Sequence, residues 1–116
     1  MNKNQGMKLI VYPVRDAAQA KKLYSTLLGV EPYVDGSYYV GFRLEGMEIG
    51  LDPAAGKRGE TGPVAYIDVS DVRGSLKDLL KAGAQLVQDV QDVGGGLLIA
   101  KVKDGDGNLL GLRQSS

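Results

Sequence analysis

The sequence predicts an α+β fold in which two βαβββ modules pair to form a curved mixed sheet around a central cleft. The same order of strand and helix signals occurs in each half of the chain. Both halves end on an aliphatic-Gly-Leu strand, Ile49-Gly50-Leu51 and Leu110-Gly111-Leu112. Val14-Arg15-Asp16 also matches Val69-Ser70-Asp71 at an offset of 71 − 16 = 55 residues. A repeat of this kind indicates duplication of one structural unit.

Composition excludes several classes of protein. A chain of 116 residues with 43% hydrophobic content can bury one core and is too short for two independent ones. Lys plus Arg and Asp plus Glu both number 14, and no basic stripe is present, which disfavours nucleic acid and anionic membrane as partners. The longest apolar run is too short for a membrane span or signal segment. We therefore expect a soluble protein, and the lack of cysteine fits a cytoplasmic one.

The absence of His and Cys also limits the chemistry. It removes the commonest metal ligand, the commonest general base at neutral pH, and any thiolate nucleophile. Catalysis would then depend on carboxylates, Tyr, Lys or Ser, and no serine has a base partner at motif spacing.

The first module is predicted over residues 7–52, after a polar, patternless lead at residues 1–6 that we expect to be disordered. Asp16 is a predicted N-cap and Gly29 a predicted C-cap of the helix. Its apolar face comprises Ala20, Leu23, Tyr24, Leu27 and Leu28. The strands are expected near Lys8 to Val14, Tyr33 to Asp35, Ser37 to Leu44 and Met47 to Leu51, with turns at Asp35-Gly36 and Glu45-Gly46.

Residues 53–62 are rich in Gly, Pro and charge and are predicted to be a linker. The second module is predicted over residues 63–114, and the two modules together form one domain. Asp71 begins its helix, Leu76, Leu79 and Leu80 share one side, and Gly83 ends it. Its strands are expected at Val64 to Val69, Gln85 to Val90, Leu97 to Val102 and Leu109 to Arg113, the last two joined by a turn at Asp104 to Asn108.

Two motifs carry a resemblance to a known family. Leu27-Leu28-Gly29-Val30, which closes the first helix, and Asp104 to Leu112, together with the duplication, resemble the vicinal oxygen chelate superfamily. The glyoxalases and bleomycin-resistance proteins belong to it. The resemblance extends over roughly Met7 to Arg113. It implies paired βαβββ modules, a cleft at the inner faces of the sheets, and a homodimer.

In the metal-dependent members of that superfamily, the ligands come from the first and last strands of each module. Counting from Asp16 and Asp71 places these positions at Leu9, Val64, Gly50 and Gly111. Aliphatic side chains and glycine provide no donor for a divalent ion. The resemblance therefore leads us to expect a metal-free member without a cofactor, to which Lewis-acid isomerase or dioxygenase activity does not carry over.

The alternation of side chains along the strands selects residues for the cleft face. Leu9 and Val64 would supply apolar wall, and Gly50 and Gly111 would let a ligand approach the backbone. The candidate ligand-binding residues are Leu9, Val11, Tyr39, Arg43, Glu48, Gly50, Val64, Tyr66, Asp68, Leu97, Ile99, Gly111 and Arg113, with Lys101 beside them. Each has a structural alternative: the tyrosines as half-buried strand residues, and the carboxylates as ion-pair partners of Arg43, Lys101 and Arg113.

These observations favour binding of a small, partly apolar or aromatic molecule without turnover, in a sequestration or resistance-like role. A second reading is a cofactor-free isomerase or lyase that uses Glu48 or Asp68 as general base. A third is a protein-interaction module whose cleft binds a partner. Fold analogy cannot decide between them, because one architecture hosts many activities.

Overall fold

The structure, a computed structural model, describes residues 4–115 and divides them into two compact units. The first unit is Lys8–Val64, and the second begins at Ala65 and includes residues 4–7. In chain order the first half forms β1 (Asn4–Pro13), α1 (Ala17–Leu28), β2 (Val34–Asp35), β3 (Val40–Leu44), β4 (Met47–Asp52) and a short 3-10 helix, Ala55–Arg58. The second half forms β5 (Val64–Val69), α2 (Val72–Lys81), β6 (Gln85–Asp92), β7 (Leu98–Lys103) and β8 (Leu109–Gln114). The predicted α+β class and the repeated βαβββ order are confirmed.

The two halves also repeat the same pairing of strands. In the first half the strands lie in the order β2-β3-β4-β1, and in the second in the order β5-β8-β7-β6. The first strand of each half is parallel to the last, and the remaining pairs are antiparallel. In register, Val11 lies beside Gly50 and Tyr66 lies beside Gly111. Strands β4 and β8, which carry the two aliphatic-Gly-Leu segments, therefore occupy equivalent positions, as the duplication predicts.

One face of each sheet packs on a helix and forms the core. In the first unit the core contains Val40, Phe42 and Leu51, with Tyr12 and Ile49 packed against it. In the second unit it contains Val69, Val72, Leu76, Ala100, Val102 and Leu112, with Ile67 and Leu79 beside it. The residues between these in sequence point to the opposite face, because side chains alternate along a strand. This agrees with the predicted separation of core and cleft positions.

Leu23 and Leu27 of α1 do not join the core, and the predicted apolar face of this helix is wrong at both positions. They are 64% and 72% exposed, whereas Ala20, Tyr24 and Leu28 pack on the sheet. The reason is the rotation of the helix: Lys21, on the opposite flank, forms a salt bridge of 2.8 Å with Asp35 in β2. In the rotation that allows this contact, only a narrow stripe of residues spaced at i, i+4 and i+8 faces the sheet. The two leucines are then exposed to solvent.

Other boundaries also differ from the sequence prediction. Strand β1 begins at Asn4, so residues 4–6 are extended rather than disordered, and residues 1–3 lie outside the described residues. Residues 37–39 precede β3 in a turn in which the Gly36 N–H donates to the Tyr39 carbonyl at 3.0 Å. The predicted linker contains the 3-10 helix with Ala55 buried, and Arg58 pairs there with Asp52 and Glu60.

The turn at Asp104 to Asn108 is confirmed, and its first aspartate organises it. Asp104 Oδ1 accepts from the backbone N–H groups of Asp106 and Asn108, both at 2.9 Å, and Oδ2 accepts from Asn108 Nδ2 at 3.0 Å. The hydrogen bond from the Asn108 side chain, followed by those from the backbone, lowers the pKa of Asp104 below its ordinary value. The motif thus forms the turn that leads into β8.

No helix among residues 4–115 is long and apolar enough to cross a membrane.

Both helices begin at the predicted aspartate caps. Asp16 Oδ1 accepts from the Gln19 N–H, and Asp71 Oδ1 accepts from the Gly74 N–H, each at 3.1 Å. Asp16→Ala should lower the free energy of unfolding by about 1 kcal/mol, because an N–H group of the first turn loses its acceptor. Chemical denaturation measures the change. Asp78→Ala, on the exposed surface of α2, is the control, and an equal loss in both variants would contradict the capping role.

Candidate functional site

The predicted ligand-binding residues lie mainly on the sheet face opposite the helix, and we call this surface the distal face of each unit. In the first unit the distal face carries Leu9, Val11, Arg43, Glu48 and Gly50. In the second unit it carries Tyr66, Asp68, Ile99, Lys101, Gly111 and Arg113. Each set is brought together by register: Leu9 and Arg43 flank Glu48, and Ile99 and Asp68 flank Arg113.

A polar cluster on the first distal face includes one residue that the sequence did not single out. The Tyr33 hydroxyl donates a hydrogen bond to Glu48 Oε1, and the Arg43 guanidinium lies 4.0 Å from the centre of the Tyr33 ring. Tyr33 reaches this position because its N–H donates to the Gly41 carbonyl at 2.9 Å, just before β2. Its place as the first residue of the predicted second strand was the only signal available. The cluster combines a carboxylate, a cation and an aromatic ring on one surface.

The cluster changes the titration of Tyr33. Burial, followed by the hydrogen bond to Glu48, raises the pKa of Tyr33 above its ordinary value. Because the folded state holds this proton more tightly than the unfolded state, the resulting stability is present below the unfolded pKa of about 10 and is lost as pH rises through the folded pKa. An NMR titration of the tyrosine rings should show Tyr33 titrating late. Glu48→Gln should lower the Tyr33 pKa only partly, since burial is the larger cause, and an unchanged pKa would contradict the assigned contact.

The glycine at the end of the first module is covered by an aromatic side chain. A Cβ atom built on Gly50 would lie 2.0 Å from the Tyr39 hydroxyl oxygen and 2.5 Å from its Cζ. Tyr39 is half-buried and is carried by the turn before β3. The sequence predicted that this glycine would open the backbone to a ligand. In the structure a phenol occupies that space instead, so a ligand reaches Gly50 only after Tyr39 moves.

In the second unit a glycine is likewise covered by a tyrosine ring, but this ring comes from the neighbouring parallel strand. A Cβ atom on Gly111 would lie 2.4 Å from Tyr66 Cδ1 and 2.7 Å from Tyr66 Cγ. Tyr66 is the register partner of Gly111 on the parallel strand β5, and it is only 5% exposed. At both glycines the lack of a side chain leaves room for the neighbouring tyrosine ring. Sequence reasoning placed both tyrosines on the right face but could not show that they cover these glycines.

Asp68 and Arg113 form a bidentate ion pair within the second distal face. Arg113 Nε donates to Asp68 Oδ1 at 2.8 Å and Arg113 Nη2 to Asp68 Oδ2 at 3.1 Å, and both residues are buried. The structural alternative, in which the carboxylate satisfies an arginine, therefore holds for Asp68. Since both of its oxygens accept from one guanidinium, Asp68 is poorly placed to act as a general base. Lys101, opposite Gly111, is 4% exposed and adds a second buried cation to this face.

The remaining predicted residues are aliphatic and differ in burial. Leu9 and Val64 are buried, and Val11 and Ile99 are half-buried. Leu97 lies just before β7, in a turn where it donates to the Gly94 carbonyl at 3.1 Å and accepts from the Val93 N–H at 2.9 Å. The sequence placed it within the strand.

Comparison with known proteins identifies the family. Residues 6–112 match the model of the glyoxalase/bleomycin resistance protein/dioxygenase superfamily, and the chain belongs to this family. The resemblance inferred from Leu27 to Val30 and Asp104 to Leu112 is thus confirmed. No match was found among curated proteins.

Solved structures show the same fold at low sequence identity. A hypothetical protein from Bacillus halodurans has a TM-score of 0.77 at 16% identity, covering 99% of this chain and 95% of the other. A methylmalonyl-CoA epimerase from Mycobacterium tuberculosis has a TM-score of 0.70 at 17% identity, with 97% and 89% covered. A Mn(II)-bound glyoxalase from Novosphingobium aromaticivorans has a TM-score of 0.74 at 17% identity, with 98% of this chain and 40% of the other covered. At these identities the likeness shows the fold alone.

The positions that the resemblance assigns to metal ligands do not suit a metal in this chain. Leu9 and Val64 present hydrocarbon, and Gly50 and Gly111 have no side chain and are covered by tyrosine rings. Within residues 4–115, no group of three or more carboxylates is placed to hold an ion. A divalent ion would lack the oxygen or imidazole donors that it needs at these positions.

Proposed function

We propose that the protein is a metal-independent small-molecule-binding member of its family, which holds a partly apolar or aromatic ligand in a sequestration or resistance-like role. The observation that carries the proposal is the replacement of the ligand-bearing positions by Gly50 and Gly111 with the rings of Tyr39 and Tyr66 over them. Where metal-binding members would direct a donor side chain, this chain directs a tyrosine ring. Tyr66 is almost fully buried, so the half-buried Tyr39 is the ring that can stack on a ligand.

The neighbouring groups support recognition of a ligand with a polar end. On the first distal face, Tyr33, Arg43 and Glu48 form a connected polar cluster close to the aliphatic Leu9 and Val11. Small-molecule sites commonly combine an apolar lining with a few oriented polar groups. The cluster would fix the orientation of the ligand, while the aliphatic and aromatic residues would provide most of the contact area.

Tyr39 is the residue most suited to respond to a ligand. It is half-buried on a turn and covers Gly50 with the far end of its side chain, whereas Tyr66 lies in the middle of β5. Rotation of Tyr39 would expose the backbone of Gly50 and free its ring to stack on the bound molecule. In this account the phenol occupies part of the site in the free protein and is displaced on binding.

A ligand screen tests this proposal. Aromatic and aliphatic compounds of low molecular mass are screened by thermal shift, and those that stabilise the protein are titrated by calorimetry without added metal. Tyr39→Ala should weaken binding by about tenfold or more, because the stacking ring is lost, while Tyr38→Ala should leave the affinity unchanged, because Tyr38 is 85% exposed. Binding that requires a divalent metal, or equal effects of the two substitutions, would contradict the proposal.

A cofactor-free isomerase or lyase is the second candidate, and the position of Glu48 favours it. The Tyr33 hydrogen bond and the adjacent Arg43 orient this half-buried carboxylate, and one relative in fold is an epimerase. Glu48→Gln should then abolish turnover of a substrate, with Asp35→Asn as the exposed control. If Glu48→Gln only adjusts affinity, the binding function stands.

Two further predictions, on oligomeric state and on a protein partner, can be tested with the same purified protein. Sedimentation or gel filtration would show whether the chain is the homodimer that the resemblance implies. A pull-down from cytoplasmic extract that recovers one stoichiometric protein, while the compound screen yields no ligand, would favour an interaction module instead.

A further inference from the structure

We infer that the first unit contains a second binding site, which takes a small anion bearing a carboxylate or phosphate group. The site is a pocket of about 590 Å³ at the carboxyl ends of the parallel strands β1 and β4. Its lining comprises Pro13, Val14, Arg15, Pro53, Gly56, Lys57, Glu60 and Thr61. None of these residues belongs to the ligand-binding set predicted from the sequence, so the inference is independent of the proposed function.

The walls of this pocket are held in place before any ligand binds. Pro13 and Pro53 fix one side through their restricted backbones, and the Val14 N–H donates to the Asp52 carbonyl at 3.2 Å. On the other side the 3-10 helix is anchored by the buried Ala55, whose carbonyl accepts from the Glu60 N–H at 3.0 Å. A preformed pocket lowers the entropy cost of binding.

The charges at the pocket favour an anion. Within residues 4–115, Arg15 and Lys57 form no ion pair, and both are exposed. The two carboxylates nearby, Asp52 and Glu60, are instead engaged by Arg58, at 3.1 Å for Glu60 Oε2. The lining itself holds two cations, Arg15 and Lys57, and one carboxylate, Glu60, which leaves a net charge of 2 − 1 = +1. The unpaired positive charges are those of Arg15 and Lys57, both of which line the pocket.

Glu60 and Thr61 restrict what the anion can be. Glu60 is in the lining and is nearly buried, and Asp52 Oδ1 is occupied by the Ala54 N–H at 2.9 Å. A bulky polyanion would therefore be repelled by the Glu60 side, whereas one carboxylate or phosphate between Arg15 and Lys57 would not. The Thr61 hydroxyl offers a further hydrogen-bond donor to the bound oxygen atoms. The apolar walls suit a short hydrocarbon part.

An NMR titration tests this site with inorganic phosphate and with acetate, each against sodium chloride at equal ionic strength. Phosphate or acetate should produce saturable shifts in the backbone amides of Arg15, Gly56, Lys57 and Thr61. Removing both cations in Arg15→Gln/Lys57→Gln should weaken binding at least about tenfold, because two charge-assisted contacts are lost. Saturation by acetate alone would assign the site to carboxylates, and saturation by phosphate alone to phosphate groups.

The matched control is Arg73→Gln/Lys77→Gln, which removes two exposed cations from α2 outside the pocket lining. It should leave both titrations unchanged, apart from weak screening effects. Both double variants change only exposed side chains, so unfolding curves should remain close to that of the parent protein. The inference is overturned if chloride reproduces the shifts, if neither anion saturates, or if the control weakens binding as much as the pocket variant.

Discussion

Asp68→Asn should lower the free energy of unfolding by about 3 to 5 kcal/mol, because it removes the carboxylate that pairs bidentately with the buried Arg113 guanidinium. The pair is bidentate, with donor–acceptor distances of 2.8 and 3.1 Å, so the amide of asparagine replaces at best part of it. Denaturant unfolding at neutral pH measures the loss. An effect of this size is a large part of the stability of a small domain.

Asp35→Asn is the control for this prediction. Asp35 pairs with Lys21 at the same distance, 2.8 Å, but both side chains are largely exposed, and the expected loss is below about 1 kcal/mol. Comparing the losses of stability in the two variants separates the effect of burial from the effect of charge pairing. If Asp68→Asn costs no more than Asp35→Asn, the pair does not contribute to stability as inferred. If Asp68→Asn fails to fold while Asp35→Asn folds normally, the prediction holds in its strongest form.

Gly111→Ala should destabilise the protein by about 1 to 3 kcal/mol, because the new methyl group would overlap the Tyr66 ring. The built Cβ lies 2.4 Å from Tyr66 Cδ1, and this ring is almost fully buried on a strand that pairs directly with β8. Neither the ring nor the strand can move without disturbing its neighbours. Thermal and denaturant unfolding both measure the change.

Two other glycines provide controls for Gly111→Ala. Gly105→Ala, in the turn before β8, meets no atom within 4 Å and should be nearly neutral. Gly50→Ala meets the hydroxyl end of the half-buried Tyr39, which lies on a turn, so it should cost less than Gly111→Ala, which meets a ring within a paired strand. In a double-mutant cycle, Tyr66→Val should absorb much of the Gly111→Ala penalty. Additive effects in that cycle would contradict the contact between ring and glycine.

The fold could be predicted because its signals are local and occur twice. The caps at Asp16 and Asp71, the left-handed Gly29 and the turn at Glu45-Gly46, where both residues have positive φ, each fix an element boundary by short-range chemistry. Strand alternation then separates core from distal face, and Tyr66, Asp68 and Arg113 lie where that pattern placed them. These predictions need no knowledge of long-range packing.

The contacts on the distal faces could not be predicted, because they depend on side-chain direction and on residues far apart in sequence. The covering of Gly50 by Tyr39 depends on a side-chain rotamer and on a turn that the sequence assigned to a strand. Tyr33 joined Glu48 through the short strand β2, whose pairing the sequence does not fix. Leu23 and Leu27 were wrongly predicted to be buried, because two rotations of α1 would bury similar numbers of apolar residues. The salt bridge between Lys21 and Asp35 forms in only one of these rotations.

Metal-independent binding is the central claim, and native mass spectrometry tests it most directly. The purified protein is stripped of metal, incubated with Mn²⁺, Ni²⁺ or Zn²⁺ and exchanged into volatile buffer, and its intact mass is then measured. We predict a mass without stoichiometric metal, together with retention of an organic ligand that was bound on purification or added from the screen. One divalent ion per chain, lost on substitution of Glu48 or of Tyr39, would contradict the account and would place metal-dependent chemistry first.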